Sequence, residues 1–273
     1  AHVVEKDFTV DEKMFTTDIL YDFSPVLTLP NSLETFKASH KGKFWYNLRR
    51  SKKLFVAGCG DFSFDNYIDN DAISLLEEIR VLFLKKWEKK YTSFSWKSEK
   101  GFCKFKSHVK KIIKECPGIF VINTIRLNNN DSTIIAYSIG FIIEETFYFY
   151  MHGVNSAYNK SSFSLGTIFL EELITSLILN PRVMVFDFMT GLNPYKLKWT
   201  NKTKPIFWRI ETNKAFWNYP IHVAKIVIFT IKIKIQKNTF FSDHIKQFFI
   251  AINRFNISRG AIRLIEKHIL KME

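Results

Sequence analysis

A chain of 273 residues, 47% hydrophobic and 16% aromatic, carries ample material for one large core or two small ones, which argues against disorder. Forty Lys and Arg against 26 Asp and Glu leave a net charge of +14, which favours anionic partners such as coenzyme phosphates, lipid headgroups or nucleic acid. Cys59, Cys103 and Cys116 are an odd set at wide spacing, so neither a disulfide framework nor a zinc site is expected, and no apolar run reaches the ~18 to 20 residues that cross a bilayer.

The chain begins at Ala1 without a signal-peptide pattern, and Val26-Leu27-Thr28-Leu29-Pro30 reads as a strand ended by proline. Asn31, with Glu34 three residues on, forms a capping box for a helix over 31–55, which carries Leu33, Phe36, Phe44, Leu48 and a basic run over 43–53. Ile73, Leu76, Ile79 and Phe83, then Phe102, Phe105, Val109 and Ile112, recur at helical spacing and predict helices over 69–90 and 101–116. Pro117-Gly118 stops the second of these.

The texture then turns to β-branched and aromatic runs over 119–127, 133–143 and 147–152, separated by polar turns, which read as an antiparallel meander. A polar segment over 153–164 leads into an amphipathic helix over 165–179, ended by Asn180-Pro181. The fully apolar run over 183–188, ending near Asp187, fits a buried strand parallel to its predecessor across that helix. A loop over 189–193, a helical piece over 194–199 and a strand over 207–210 complete the domain. Beyond Thr212 lies a basic, apolar tail in which Val223, Ile226 and Ile233 alternate with Lys225, Lys232 and Lys234, expected to form helices packed on the domain or lying at an anionic membrane surface.

The informative unit is strand, polar loop, helix, strand. The first N–H groups of a helix have no internal partner, and the helix dipole adds positive potential, so a strand-to-helix turn suits a pyrophosphate. Ser164-Leu165-Gly166 supplies a hydroxyl cap and a glycine where backbone can approach a ligand. Many helices open this way without binding anything.

Tyr148-Phe149-Tyr150, Gly153, Ala157-Tyr158, Ser164-Leu165-Gly166, Asp187-Phe188, Gly191 and Tyr195-Lys196-Leu197-Lys198-Trp199, with Ser32-Leu33-Glu34-Thr35-Phe36 and Asn47-Leu48-Arg49-Arg50 upstream, resemble the CelD-type acetyltransferases of cellulose and exopolysaccharide biosynthesis. These belong to the GNAT superfamily and are similar to the Fem-type aminoacyltransferases of peptidoglycan. The resemblance spans roughly residues 29–210. It implies an α/β (α+β) GNAT fold with a mixed, mostly antiparallel sheet flanked by helices. The domain reading that goes with it is a strand remnant of a preceding half-domain over 1–30, the acyltransferase domain over 31–212 and a basic helical tail over 213–273. The chain departs from the family at Asn155, Leu165 and Met189-Thr190, which bears on the catalytic assignment more than on the fold.

The resemblance implies acetyl-CoA or another acyl-CoA as co-substrate, no metal, and transfer to an amine or hydroxyl of a sugar or cell-envelope precursor. His152 is then either the general base or a hydrogen-bonded strand-end histidine. Asp187 either orients the acceptor or holds a loop, and Tyr195 either protonates the departing thiolate or packs beside Trp199. Gly153, Tyr158, Ser164, Leu165, Gly166 and Lys196 are the expected coenzyme contacts. Arg49 and Arg50, with Lys52 and Lys53, are either a solvated helix face or a site for a sugar nucleotide, lipid phosphate or acidic glycan. The alternatives are Fem-type transfer from aminoacyl-tRNA, the one case in which nucleic acid is a partner, or a catalytically silent scaffold peripheral to a membrane. The expected location is the cytoplasm, at most against the inner face of the membrane.

Overall fold

The computed structural model describes residues 14–87, 95–128, 132–160 and 162–213, with 222, 223, 225, 226 and 228; most of the basic tail lies outside them. The chain divides into a larger unit, Phe23–Lys204, and a smaller one made of Ala1–Asp22 and Pro205–Glu273. The described residues form seven strands, β1 (Met14–Thr28), β2 (Phe62–Ile68), β3 (Phe120–Leu127), β4 (Ile134–Ile143), β5 (Thr146–Val154), β6 (Val185–Asp187) and β7 (Thr203–Asn213), and seven α-helices. The helices are α1 (Leu33–Ala38), α2 (Gly42–Cys59), α3 (Asn70–Ser74), α4 (Leu76–Trp87), α5 (Glu99–Glu115), α6 (Leu165–Ile178) and α7 (Pro194–Leu197).

In the larger unit β2, β3, β4 and β5 form the antiparallel meander that the sequence predicts from its third strand onward. β6 then pairs parallel to β5, as the crossover helix α6 requires, and antiparallel to the end of β1. This mixed, mostly antiparallel sheet with helices on both faces is the expected α/β architecture. One face is covered by α2 and α6, where Leu48, Phe55, Phe169 and Leu173 meet Val121, Ile125, Phe147 and Phe186. The other is covered by α3, α4 and α5, where Ile79, Phe83, Phe102 and Val109 meet Phe120, Ile122, Tyr137 and Met151. Strand residues alternate between these cores, so both faces of the central strands are apolar. In the smaller unit, Arg209 makes a two-pronged contact with Asp18, both bonds at 2.8 Å, and His222 Nε2 lies 2.9 Å from Thr17 Oγ1.

Three expectations need correction. The single helix over 31–55 is broken between α1 and α2, because the Ser39 hydroxyl bonds back to the Phe36 carbonyl at 2.7 Å and closes the first helix. Its cap is Ser32, whose Oγ accepts from the Thr35 N–H at 3.2 Å, and not Asn31. The helix over 69–90 begins one residue later and pauses at Leu75. β2, which the helical reading passed over, precedes it; the alternation of Phe62 and Phe64 with Ser63 and Asp65 between Gly60 and Asp69 is its signal. Asp69 ends β2 with a positive φ of 52° and accepts from the Gly118 N–H at 2.5 Å and the Phe120 N–H at 3.3 Å, tying this corner to the start of β3.

Close packing against the sheet sets a measurable constraint at Gly140, where an added Cβ would lie 2.3 Å from the Phe147 ring. Gly140→Ala should therefore lower the unfolding free energy by about 1–3 kcal/mol in chemical denaturation, as overpacking does. Gly42→Ala, where nothing lies within 4 Å, should be neutral or slightly stabilising.

Candidate active site

The site begins where the pairing of two strands stops. β5 and β6 pair through Thr146 with Val185, Phe147 with Phe186 and Tyr148 with Asp187. Between Ile139 and Phe141 the partner residue on β5 runs from Met151 to Tyr148, so β5 holds one residue more than β4. Such a bulge bends a strand and sharpens its twist. It lies directly after the last β5–β6 pair. Residues 151–154 stay paired to β4 beyond the end of β6, and it is at the carboxyl ends of strands that open α/β sheets take ligands.

α6 begins at its Ser164 cap, whose Oγ accepts from the Thr167 N–H at 3.3 Å. The N–H groups expected to converge on a diphosphate are partly engaged. Ser164 N–H donates to Ser51 Oγ at 3.1 Å and Leu165 N–H to Asn159 Oδ1 at 3.0 Å, so of the three only the Gly166 N–H has no partner among the described residues. The corner is nevertheless open. A cleft of about 430 Å³ is lined by Asn47, Arg50, Ser51, Asn159, Lys160 and Ser164, so its positive potential comes mainly from the Arg50 and Lys160 side chains. A Cβ at Gly166 would meet only Val154, at 3.9 Å.

The other expected coenzyme contacts fare differently. Leu165 is fully buried and offers only backbone. Tyr158 is half-buried against the core. At Gly153 a Cβ would lie 2.6 Å from the buried Tyr137 ring, so packing alone requires a glycine there. Lys196, expected on coenzyme phosphates, is 4% exposed, and its ammonium donates to the carbonyls of Met189 at 3.1 Å and Thr190 at 2.6 Å. It holds the loop after β6.

Asp187 holds the same loop. Only 1% exposed, it accepts from Ser24 Oγ and from the Met189 N–H at 2.8 Å, and it pairs with Lys204. Both carboxylate oxygens are thereby occupied, and of the two roles expected for Asp187 the contacts describe loop holding. Met189 takes a positive φ of 60° under this restraint.

His152 and Tyr195 are brought together, with Nε2 and the phenol oxygen 3.3 Å apart. The imidazole stacks on Phe149 at 4.6 Å between centroids, and the His152 carbonyl accepts from Lys86 Nζ at 3.3 Å. Burial first, then the charges of Lys86 and Lys196, push the His152 pKa down to about 3. Burial pushes Tyr195 up to about 12. At neutral pH the pair is thus a neutral imidazole and a protonated phenol. His152 is a poor general base in this state, and an acceptor able to orient the phenol. Tyr195 faces His152, whereas Trp199 stacks on Phe36 and meets His40 and Phe44 edge-on.

Arg49 and Arg50 diverge. Arg50 lines the cleft beside α6, whereas Arg49 borders a separate recess of about 340 Å³ with Lys37, Trp45, Leu48, Lys52 and Glu171. Lys52 itself bridges Glu171 and Glu172 and joins α2 to α6. Ser51, Asn159 and Lys160 carry no site expectation from sequence, and Asn47 enters there only through the family resemblance. Asn47 and Ser51, four residues apart on the face that carries Arg50, were the available signal. Among the described residues no group of His, Cys, Asp and Glu could hold a metal ion, and no helix is long and apolar enough to cross a membrane.

Among solved structures the chain is similar to FemX, with 7% identity, a TM-score of 0.52, and coverage of 74% of this chain and 64% of that one. L-PGS from Bacillus licheniformis matches at 12% identity and a TM-score of 0.48 over 77% and 66% of the two chains. PaiA N-acetyltransferase from Thermoplasma acidophilum, solved in complex with coenzyme A, matches at 14% identity and a TM-score of 0.32 over 45% and 75%. The chain thus spans just under two thirds of the length of FemX and of L-PGS. No curated protein matches it at a significant level. The acetyltransferase (GNAT) domain profile matches residues 42–197, from the first turn of α2 to the end of α7, and so takes in β5 and β6, the α6 corner and the His152–Tyr195 pair. With more than half of its length under that profile and the corresponding fold around it, the chain belongs to the acetyltransferase (GNAT) domain family.

Proposed function

We propose that the chain is an acyl-CoA-dependent acyltransferase of the CelD type, moving an acetyl or other acyl group to an amine or hydroxyl of a sugar or cell-envelope precursor. Location in the cytoplasm, with peripheral contact to the membrane through the tail, belongs to the same proposal. The observation that carries it is the open cationic cleft at the start of α6, with β5 running on past its last pairing with β6. The cleft fits the coenzyme: Arg50 and Lys160 would hold its phosphates, with the Gly166 N–H and the hydroxyls of Ser51 and Ser164 beside them. Acyl-CoA supplies an activated thioester, and direct attack by the acceptor needs no covalent enzyme intermediate.

The protein's own groups then have distinct tasks. Peptide N–H groups of β5 beyond Tyr148 no longer pair with β6 and are donors for a developing oxyanion. Tyr195, held protonated by burial, is the proton donor to the departing thiolate: His152 holds the phenol in place beforehand, the phenol hydrogen turns from Nε2 to sulfur in the step, and Tyr195 regains from solvent the proton that the attacking amine or hydroxyl sheds. Asp187 and Lys196 set the loop that leads from β6 to Tyr195.

A second reading, Fem-type transfer from aminoacyl-tRNA, draws on the fold shared with FemX. Thermal unfolding decides between the two. Acetyl-CoA at a hundred times its dissociation constant should stabilise the protein by roughly 2.7 kcal/mol. A shift with aminoacyl-tRNA and none with acetyl-CoA would overturn the acyl-CoA reading, and a shift with neither would favour a silent scaffold.

Arg50→Ala should weaken coenzyme binding by about 10- to 100-fold in calorimetry, the usual cost of a charge-assisted phosphate contact. Arg49→Ala should change it less than about twofold, since Arg49 borders the other recess. Tyr195→Phe should lower kcat roughly 10²-fold with little change in KM, whereas a purely structural tyrosine would change stability alone.

The pH dependence separates a buried neutral histidine from a solvent-like base. With His152 held near 3, kcat should show no ascending limb between pH 6 and 7 that His152→Gln abolishes. The folded-state pKa lies below the ordinary 6.5, so the unfolded chain takes up the proton first. Stability from this group is complete above pH 6.5 and declines toward about 3, by at most about 1.4 kcal/mol per pH unit. Denaturant titrations of His152→Gln should lack that component relative to the parent protein.

A further inference from the structure

α5 lies on the face of the sheet opposite α2 and α6, and the proposed reaction makes no use of it. Phe102, Val109 and Ile113 face the core, and the opposite side carries Lys100, Lys104, Lys111 and Lys114, with Lys110 on its flank. Offsets of four, eleven and fourteen residues from Lys100 fall on one stripe of a helix with 3.6 residues per turn, roughly 21 Å long. All five lysines are exposed, and none forms an ion pair among the described residues.

Of the acids near the stripe, Glu115 lies at its end, four residues from Lys111, and the others point elsewhere. Glu99 is bound to Arg80, Glu77 to Lys106, and Glu78 to Arg126. Lys100 and Lys104, and Lys110 and Lys114, stand four residues apart as like charges, an arrangement that destabilises a helix, and Lys100 sits in the first turn, against the helix dipole. A row of cations that costs the free protein stability is repaid only by an anionic surface.

We propose that the exposed face of α5 docks on an anionic lipid bilayer. The chemistry of the face selects lipid over nucleic acid. It carries no Arg for bidentate phosphate or base contacts and no exposed Phe, Tyr or Trp for stacking on bases, whereas point-charge ammoniums in a straight row match a plane of headgroup phosphates. The surface is separate from the tail and independent of the acyl-transfer reading.

The test is co-sedimentation of the full chain with vesicles of phosphatidylcholine, with and without phosphatidylglycerol. Each lysine near such a surface contributes about a fivefold factor in partitioning. The variant Lys100→Gln, Lys104→Gln, Lys111→Gln, Lys114→Gln should therefore bind on the order of 10²-fold more weakly to the anionic vesicles, with its melting temperature kept because Gln is a good helix former. High salt should release the parent protein. A second variant, Lys225→Gln, Lys232→Gln, Lys234→Gln, isolates the tail's separate contribution, and adding the four α5 substitutions to it should weaken binding by the same factor again. Binding by the α5 variant within threefold of the parent, equal binding to neutral vesicles, or retention on unfractionated RNA with none on anionic vesicles would each refute the proposal.

Discussion

The extra residue in β5 is the constraint on which the site depends. A sheet whose neighbouring strands pair throughout has no room for a ligand between them, because each peptide group on the shared edge is consumed by its neighbour. Here the bulge comes directly after Tyr148, the last residue paired to β6, and from Met151 onward β4 holds the other edge of β5. Phe186, in ring contact with both Phe147 and Phe149, packs where the pairing ends.

The loop after β6 is held by charge. Asp187 is buried yet satisfied by Ser24, the Met189 N–H and Lys204, drawn from β1, the loop itself and β7. A buried carboxylate with three partners offsets its desolvation, whereas one with fewer would be a liability. Lys196 grips the same loop from α7 through two carbonyls. The residue that follows Asp187-Phe188 can therefore stay at a positive φ, and Tyr195 is delivered to His152 by a segment with little freedom of its own.

Much of this was legible in the sequence, for reasons that differ by element. The meander, α6 and the parallel β6 follow from runs whose periodicity leaves few alternatives, and Ser164 announced itself as a cap. β2 was missed because Phe62 and Phe64 sit in a short, polar stretch between two stronger helical patterns. The contacts of Lys196 and Gly153 are not legible, because spacing shows that a cation or a glycine is near the site but not what it touches. Only coordinates reveal that the Met189 and Thr190 carbonyls reach the ammonium, or that the Tyr137 ring fills the space above Gly153. His152 and Tyr195 were both named, but their shared hydrogen bond and opposite pKa shifts come from burial, which has no local sequence signature.

The bond from Ser164 N–H to Ser51 Oγ joins the opening of α6 to the middle of α2, and the cleft lies across that seam. Arg50 belongs to one bank and Lys160 to the other, from segments far apart along the chain. An anion lodged between them acts as a removable staple, fastening two helices that otherwise share only a hydroxyl, the Lys52 bridge and their apolar flanks. Occupancy would then be felt as slower amide exchange along both helices together, well beyond the residues in contact.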